Sequence, residues 1–214
     1  TWPNLDLGET LADAGTALVL FILALIIFTI VNQIISGYVQ RSRMGALDRS
    51  IGFIFGLLRG ADDPQADAAA FFKSQILFWL IGATDGHAKN FSIFLKPGGR
   101  YSLTPFYDVL SAQPAVDAGQ IAQNRFRLAM SAGTNRHYRL NEVTGRHFVQ
   151  SGKSAGLGTG LMRAAINELM DRARDAPTVA REAMPVDFAE PVHDCIAAAL
   201  ATRLPRLSSA LEEF

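Results

Sequence analysis

The chain has 214 residues, enough for one large domain or two small ones, with 19% charged residues and a formal net charge of zero. A zero balance excludes capture of nucleic acid or acidic lipid by bulk charge, and a single cysteine, Cys195, excludes an internal disulfide and fits a reducing compartment. The low charged share and positive mean hydropathy are what a membrane segment joined to a soluble part averages to.

From Ala14 to Gln40 no residue is charged, and Ala17 to Val31 is apolar on every face. About 20 such residues cover the hydrocarbon layer, so the sequence predicts a transmembrane helix contacting the membrane through residues 16–36. The start is acidic (Asp6, Glu9, Asp13), unlike a signal peptide. Arg41, Arg43 and Arg49 follow the span, which sets its C-terminal side in the cytoplasm. A second apolar helix, Met44 to Gly60, is too short to span before Arg59 and carries Gly52, Gly56 and Gly60 at every fourth position, a ridge suited to close helix approach.

The apolar helix ending in Val31-Asn32, the linker Gln40-Arg-Ser-Arg43, Gly45-Ala-Leu-Asp-Arg49 and Gly52-Phe-Ile-Phe-Gly-Leu-Leu-Arg-Gly60 resemble the CvpA (colicin V production) family over about residues 7–61. That resemblance implies a bacterial inner-membrane location, with the rest of the chain cytoplasmic. Without insertion the whole chain would be cytoplasmic. After Gly60 the apolar continuation gives way to Ala61-Asp-Asp-Pro-Gln65, so the expected division is 1–61 and 62–214.

Asp63-Pro64 is a helix start, with an acceptor at the cap and proline at the first helical position. Phe72, Ile76, Trp79 and Leu80 follow at helical spacing and read as core. The helix ends near Ile81-Gly82 and feeds the loop Ala83 to Lys89. Phe91–Leu95 and Tyr101–Thr104 read as strands around the turn Lys96-Pro-Gly-Gly-Arg100. The hairpin draws Asn90 toward Asp108, with Asp85 in the feeding loop. That is the set phosphoryl transfer needs: Asp85 to orient a hydroxyl and take its proton, Asn90 and Asp108 to hold magnesium. Spacing alone also fits an ordinary polar turn.

Phe71-Phe-Lys-Ser-Gln75, Trp79-Leu-Ile-Gly-Ala-Thr-Asp-Gly-His-Ala-Lys-Asn-Phe-Ser92 and Leu103-Thr-Pro-Phe-Tyr-Asp-Val-Leu-Ser111 resemble the C-terminal lobe of the HipA family over about residues 57–214. These are bacterial toxin serine/threonine kinases of toxin–antitoxin pairs. The resemblance implies a catalytic Asp85, ATP contacts at His87, Ala88, Lys89, Asn90, Tyr107 and Asp108, and magnesium at Asn90 and Asp108. Lys89 pairs with phosphate or is a solvated charge. A protein substrate and a HipB-like antitoxin are the implied partners. Operator DNA is reached only through the antitoxin, near Lys153, where the family's arginine one turn on is Gly156.

After Ser111 the periodicity is mainly helical, in Leu161–Met170 and from Val192 to Leu200 until Pro205. His193 and Cys195 lack the further ligands of a zinc site. The expected fold is mainly α: a transmembrane helix, a second short apolar helix, then a helical kinase C-lobe whose small β-hairpin carries the catalytic loop. No Gly-rich loop, strand and lysine precede Asp85 in these residues. The expected function is a HipA-like kinase impaired by a missing N-lobe. The alternatives are a non-catalytic binding lobe or a CvpA-like membrane protein with an incidental tail.

Overall fold

The computed structural model describes residues 16–17, 20–30 and 49–214. The chain divides into two units, Thr1–Ser42 and Arg43–Phe214. In the first, residues 20–30 are helical, and Leu20, Phe21, Ile27 and Phe28 are exposed. Among the described residues no helix is long and apolar enough to cross a membrane, so they do not support the expected transmembrane helix. The rest of the expected span lies outside the described residues.

The second unit begins its described structure with α1 (Arg49–Leu58). Ile51, Ile54, Phe55 and Leu58 fall on one side at helical spacing, and all four are buried. This short apolar helix belongs to the core that holds Phe71, Trp79 and Val149. A Cβ at Gly56 would meet nothing, and Gly60 sits beside Tyr101, whose hydroxyl donates to the Leu57 carbonyl at 2.7 Å. Arg59 Nη2 donates to the Ala155 carbonyl at 2.7 Å, tying the end of α1 to a distant part of the chain.

The central element is α2 (Pro64–Ile81). Asp63 caps it, its Oδ1 accepting from the Ala66 N–H at 3.0 Å. Phe71, Phe72, Ile76, Trp79 and Leu80 are all buried, because helices pack on several sides of α2. The Trp79 indole N–H donates to the Leu140 carbonyl at 3.0 Å. At the C-terminal end Gly82 takes the left-handed conformation (φ 72°), which stops the helix and turns the chain into the loop.

The first hairpin pairs β1 (Ile93–Leu95) antiparallel with β2 (Tyr101–Leu103), placing Ile93 opposite Leu103. A short helix, α3 (Gln113–Asp117), follows. The sequence after Ser111 is not uniformly helical. A second hairpin joins β3 (Arg127–Ala132) to β4 (His137–Arg139), with a register shift between Arg127 and Ala132. The shift breaks the alternation that marks a strand, since Met130, Ser131 and Ala132 are consecutively buried.

Three helices complete the unit: α4 (Gly145–Ser154), α5 (Thr159–Ala183) and α6 (Glu190–Leu207). Thr144 and His147 form a reciprocal capping box on α4, with His147 Nδ1 accepting from the Thr144 N–H at 3.0 Å. Pro205 does not end α6, which continues to Leu207. Pro205 and Ala201 both lie on the exposed side, where solvent can satisfy the carbonyl that loses its N–H partner.

Candidate active site

The loop from Gly82 to Asn90 leaves α2 and packs back over it. A Cβ on buried Gly86 would run into the Phe78 ring, so only glycine lets the loop lie this close to the helix. Phe91 anchors the far end, with ring contacts to Phe71 (4.9 Å) and Phe106 (5.8 Å).

Asp85 is fixed by its backbone and left free at its carboxylate. Its carbonyl accepts the His87 N–H at 2.8 Å and the Asn90 side-chain amide at 3.0 Å. The Asp85 side chain is 73% exposed, so a substrate can reach it, and its Oδ1 lies 3.5 Å from His87 Nε2. His87 Nδ1 is buried without a hydrogen-bond partner. Asn90 is buried, and with its NH2 group on Asp85 its amide oxygen is the atom left for a cation. Ala88, Lys89 and Asn90 form a single 3-10 turn, with Lys89 exposed.

The segment carrying Asp108 is stitched to both ends of that loop. On one side the Tyr107 hydroxyl shares a 2.7 Å hydrogen bond with Ser92 Oγ and donates to the Lys89 carbonyl at 3.4 Å. On the other, Ser111 Oγ donates to the Ile81 carbonyl at 2.6 Å and the Ala112 N–H to the Gly82 carbonyl at 2.9 Å. Between these anchors Asp108 is exposed and left-handed (φ 54°), a conformation an aspartate tolerates better than most residues. The stitching holds Asp108 in this strained state beside the loop. Leu110, two residues on, is an exposed apolar side chain, as are Phe94 and Leu95 on β1.

The structure thus gathers Asp85, His87, Ala88, Lys89, Asn90, Tyr107 and Asp108 on two linked segments. Lys153 lies apart from them, its amine donating to the Glu213 carbonyl, while Gly156 (φ 81°) packs against Arg59. The oxygens of Asp85, Asn90 and Asp108 are the hard donors magnesium takes, and the unpartnered His87 Nδ1 suits a polar ligand. Among the described residues no three His, Cys, Asp or Glu side chains cluster to hold a metal unaided. Magnesium held by one or two protein groups draws its remaining oxygens from phosphate and water.

One supporting residue escapes sequence reasoning. Arg203, 8% exposed on α6, donates to the Leu80 carbonyl (3.0 Å) and to Gln113 Oε1 (2.6 Å). It braces the end of α2 against the segment returning from Asp108. In the sequence it is one more arginine on an amphipathic helix. Its only signal is its place among Leu200, Leu204 and Leu207.

Residues 35–177 match the family described as HipA-like C-terminal domain, two thirds of the chain. The chain belongs to that family. Residues 2–61 match the family described as Colicin V production protein, overlapping the HipA-like match over residues 35–61. The kinase-like protein Y4mE of Sinorhizobium fredii is 30% identical over 57% of this chain and 27% of its own length. A kinase-like protein of Haemophilus influenzae is 24% identical over 71% of this chain and 46% of its own. The Colicin V production protein homolog of Haemophilus influenzae is 48% identical over 22% of this chain and 29% of its own. The chain therefore spans a quarter to a half of the curated kinase-like relatives it matches. The structure is similar in fold to a chain of the Shewanella oneidensis HipA, HipB and operator DNA complex, with TM-score 0.57 and 23% identity, covering 76% of this chain and 36% of that one.

Proposed function

We infer that the HipA-like unit presents the catalytic loop of a serine/threonine protein kinase that transfers phosphate from ATP to a protein hydroxyl. The observation that carries this is the pairing of a backbone-locked, solvent-open Asp85 with Asn90, the residue that locks it. Asp85 orients the acceptor hydroxyl and takes its proton. Asn90 and Asp108 would hold magnesium, whose chemistry when bound is to neutralise charge on the transferring phosphoryl group. His87, through its unpartnered Nδ1, and the Ala88–Asn90 turn with Tyr107 would contact the nucleotide. A HipB-like antitoxin is the proposed partner, on the likeness to a toxin that assembles with one. Any operator-DNA contact would pass through that antitoxin near Lys153.

A second reading is a lobe that binds nucleotide or antitoxin without turnover. In that reading the exposed Asp85 carboxylate and the Ala88–Asn90 turn contact a ligand without any proton transfer. Incubating the full chain with labelled ATP and magnesium, beside an Asp85→Ala control, separates the two. Transfer to protein that the substitution abolishes supports catalysis. Saturable ATP binding with no transfer in either chain supports the binding lobe.

Membrane association belongs to the proposal through the Colicin V-like segment and the exposed apolar side chains of residues 20–30. Fractionation should place the full chain with membranes until detergent is added. Recovery in the aqueous fraction without detergent would overturn this part alone.

A further inference from the structure

Behind the loop, on the far side of Arg203, lies a cavity of about 340 Å3, within the size range of small-molecule sites. Its wall includes Gln113, Asp117, Asn141, Cys195, Arg203 and Arg206. Two guanidinium groups face one carboxylate, and that carboxylate already accepts from the Gln113 amide at 2.8 Å. Arg203 is buried and bonds a neutral carbonyl and an amide oxygen, and the one carboxylate of the wall that offsets its charge, Asp117, reaches it only through the Gln113 amide. Burial first, and Arg206 second, pull the Arg203 guanidinium down to about 10. Arg206 is likewise held by neutral groups, the Asn141 and Val143 carbonyls at 2.7 and 2.8 Å, with its plane over the Trp79 ring. Two rigidly braced guanidinium groups against a single carboxylate, none of them in a direct ion pair, leave the wall of a polar cavity with excess positive charge, a receptor for oxygen anions.

We propose that this cavity is a binding site for a small oxyanion, a phosphate monoester or a carboxylate, held between Arg203 and Arg206. The site is separate from the loop and does not rest on the kinase reading. Arg203 also holds the Leu80 carbonyl, so an anion in the cavity bears on the helix end that leads into the Asp85 loop.

Cys195 lies in the cavity wall and is the chain's single thiol, which makes it a reporter. Burial pushes the thiol above its ordinary range, so reagents are compared at one pH. In the full chain, a sulfonate-bearing methanethiosulfonate should modify Cys195 on the order of tenfold faster than a trimethylammonium-bearing one. Inorganic phosphate should slow both reagents more than sodium chloride at equal ionic strength. Arg206→Gln should bring the two rates together, and Arg206→Lys should restore the difference. Protection by phosphate alone assigns a phosphoryl ligand, and equal protection by succinate assigns a carboxylate. Equal rates for the two reagents in the unsubstituted chain, or no protection beyond sodium chloride, would overturn the proposal.

Discussion

At the scale of single residues, the candidate site depends on positions that carry no reactive group. Gly86 is the clearest case. Gly86→Ala should cost about 1–3 kcal/mol, because the new methyl group must displace the Phe78 ring. Chemical denaturation of the two chains measures the loss, and it should shrink when Phe78 is shortened to Leu in the same chain. The candidate residues are legible in the sequence because they are local: Asp85, His87 and Asn90 lie within one turn and its flank. Their supports are not. Arg203 reaches Leu80 across the fold, and nothing in its neighbours along the chain announces that contact. The same holds for Tyr107, whose hydroxyl finds Ser92 only once the hairpin has closed.

At the scale of elements, α4 carries a titratable cap. His147 is buried, accepts the Thr144 N–H through Nδ1, and stacks on the His137 ring at 4.2 Å. Burial first, then the charges of His137, Arg146 and Arg206, lower its pKa to about 4 from the ordinary 6.5. Between those values the unfolded chain binds a proton that the folded chain refuses. Stability is therefore complete above about pH 6.5 and falls as the pH drops toward 4, by about 3 kcal/mol in all. Urea unfolding at pH 7 and pH 4.5 should show the slope, and His147→Asn should flatten it. The elements also show what patterning can convey. The first hairpin was readable from Gly98-Gly99 between two short β-prone runs, and the observed strands fall inside those runs. The second hairpin was missed because its register shift buries three residues in a row, which erases the period of two.

At the scale of the whole molecule, α1 decides where the HipA-like unit starts. Its apolar run reads like a truncated membrane segment, since composition does not tell a buried face from a lipid-facing one. Its four buried side chains contribute about 6–12 kcal/mol by burial, comparable to the net stability of a domain. A fragment of residues 43–214 should unfold in a cooperative thermal transition, whereas one of residues 62–214 should lose that transition or aggregate. Indistinguishable melting of the two would show that α1 is dispensable. The exposed apolar side chains Phe94, Leu95 and Leu110 act at the same scale, as a colloidal property. Phe94 and Leu95 sit on a two-stranded hairpin with open edges, and Leu110 is 72% exposed. Strongly excluded salts raise the cost of hydrating such a surface, so sulfate should drive this protein into reversible self-association. Dilution or mild chaotropes should reverse that association without unfolding the chain. The exposed apolar side chains of the hairpin and of the Asp108 segment thus also set the concentration at which the protein stays dispersed.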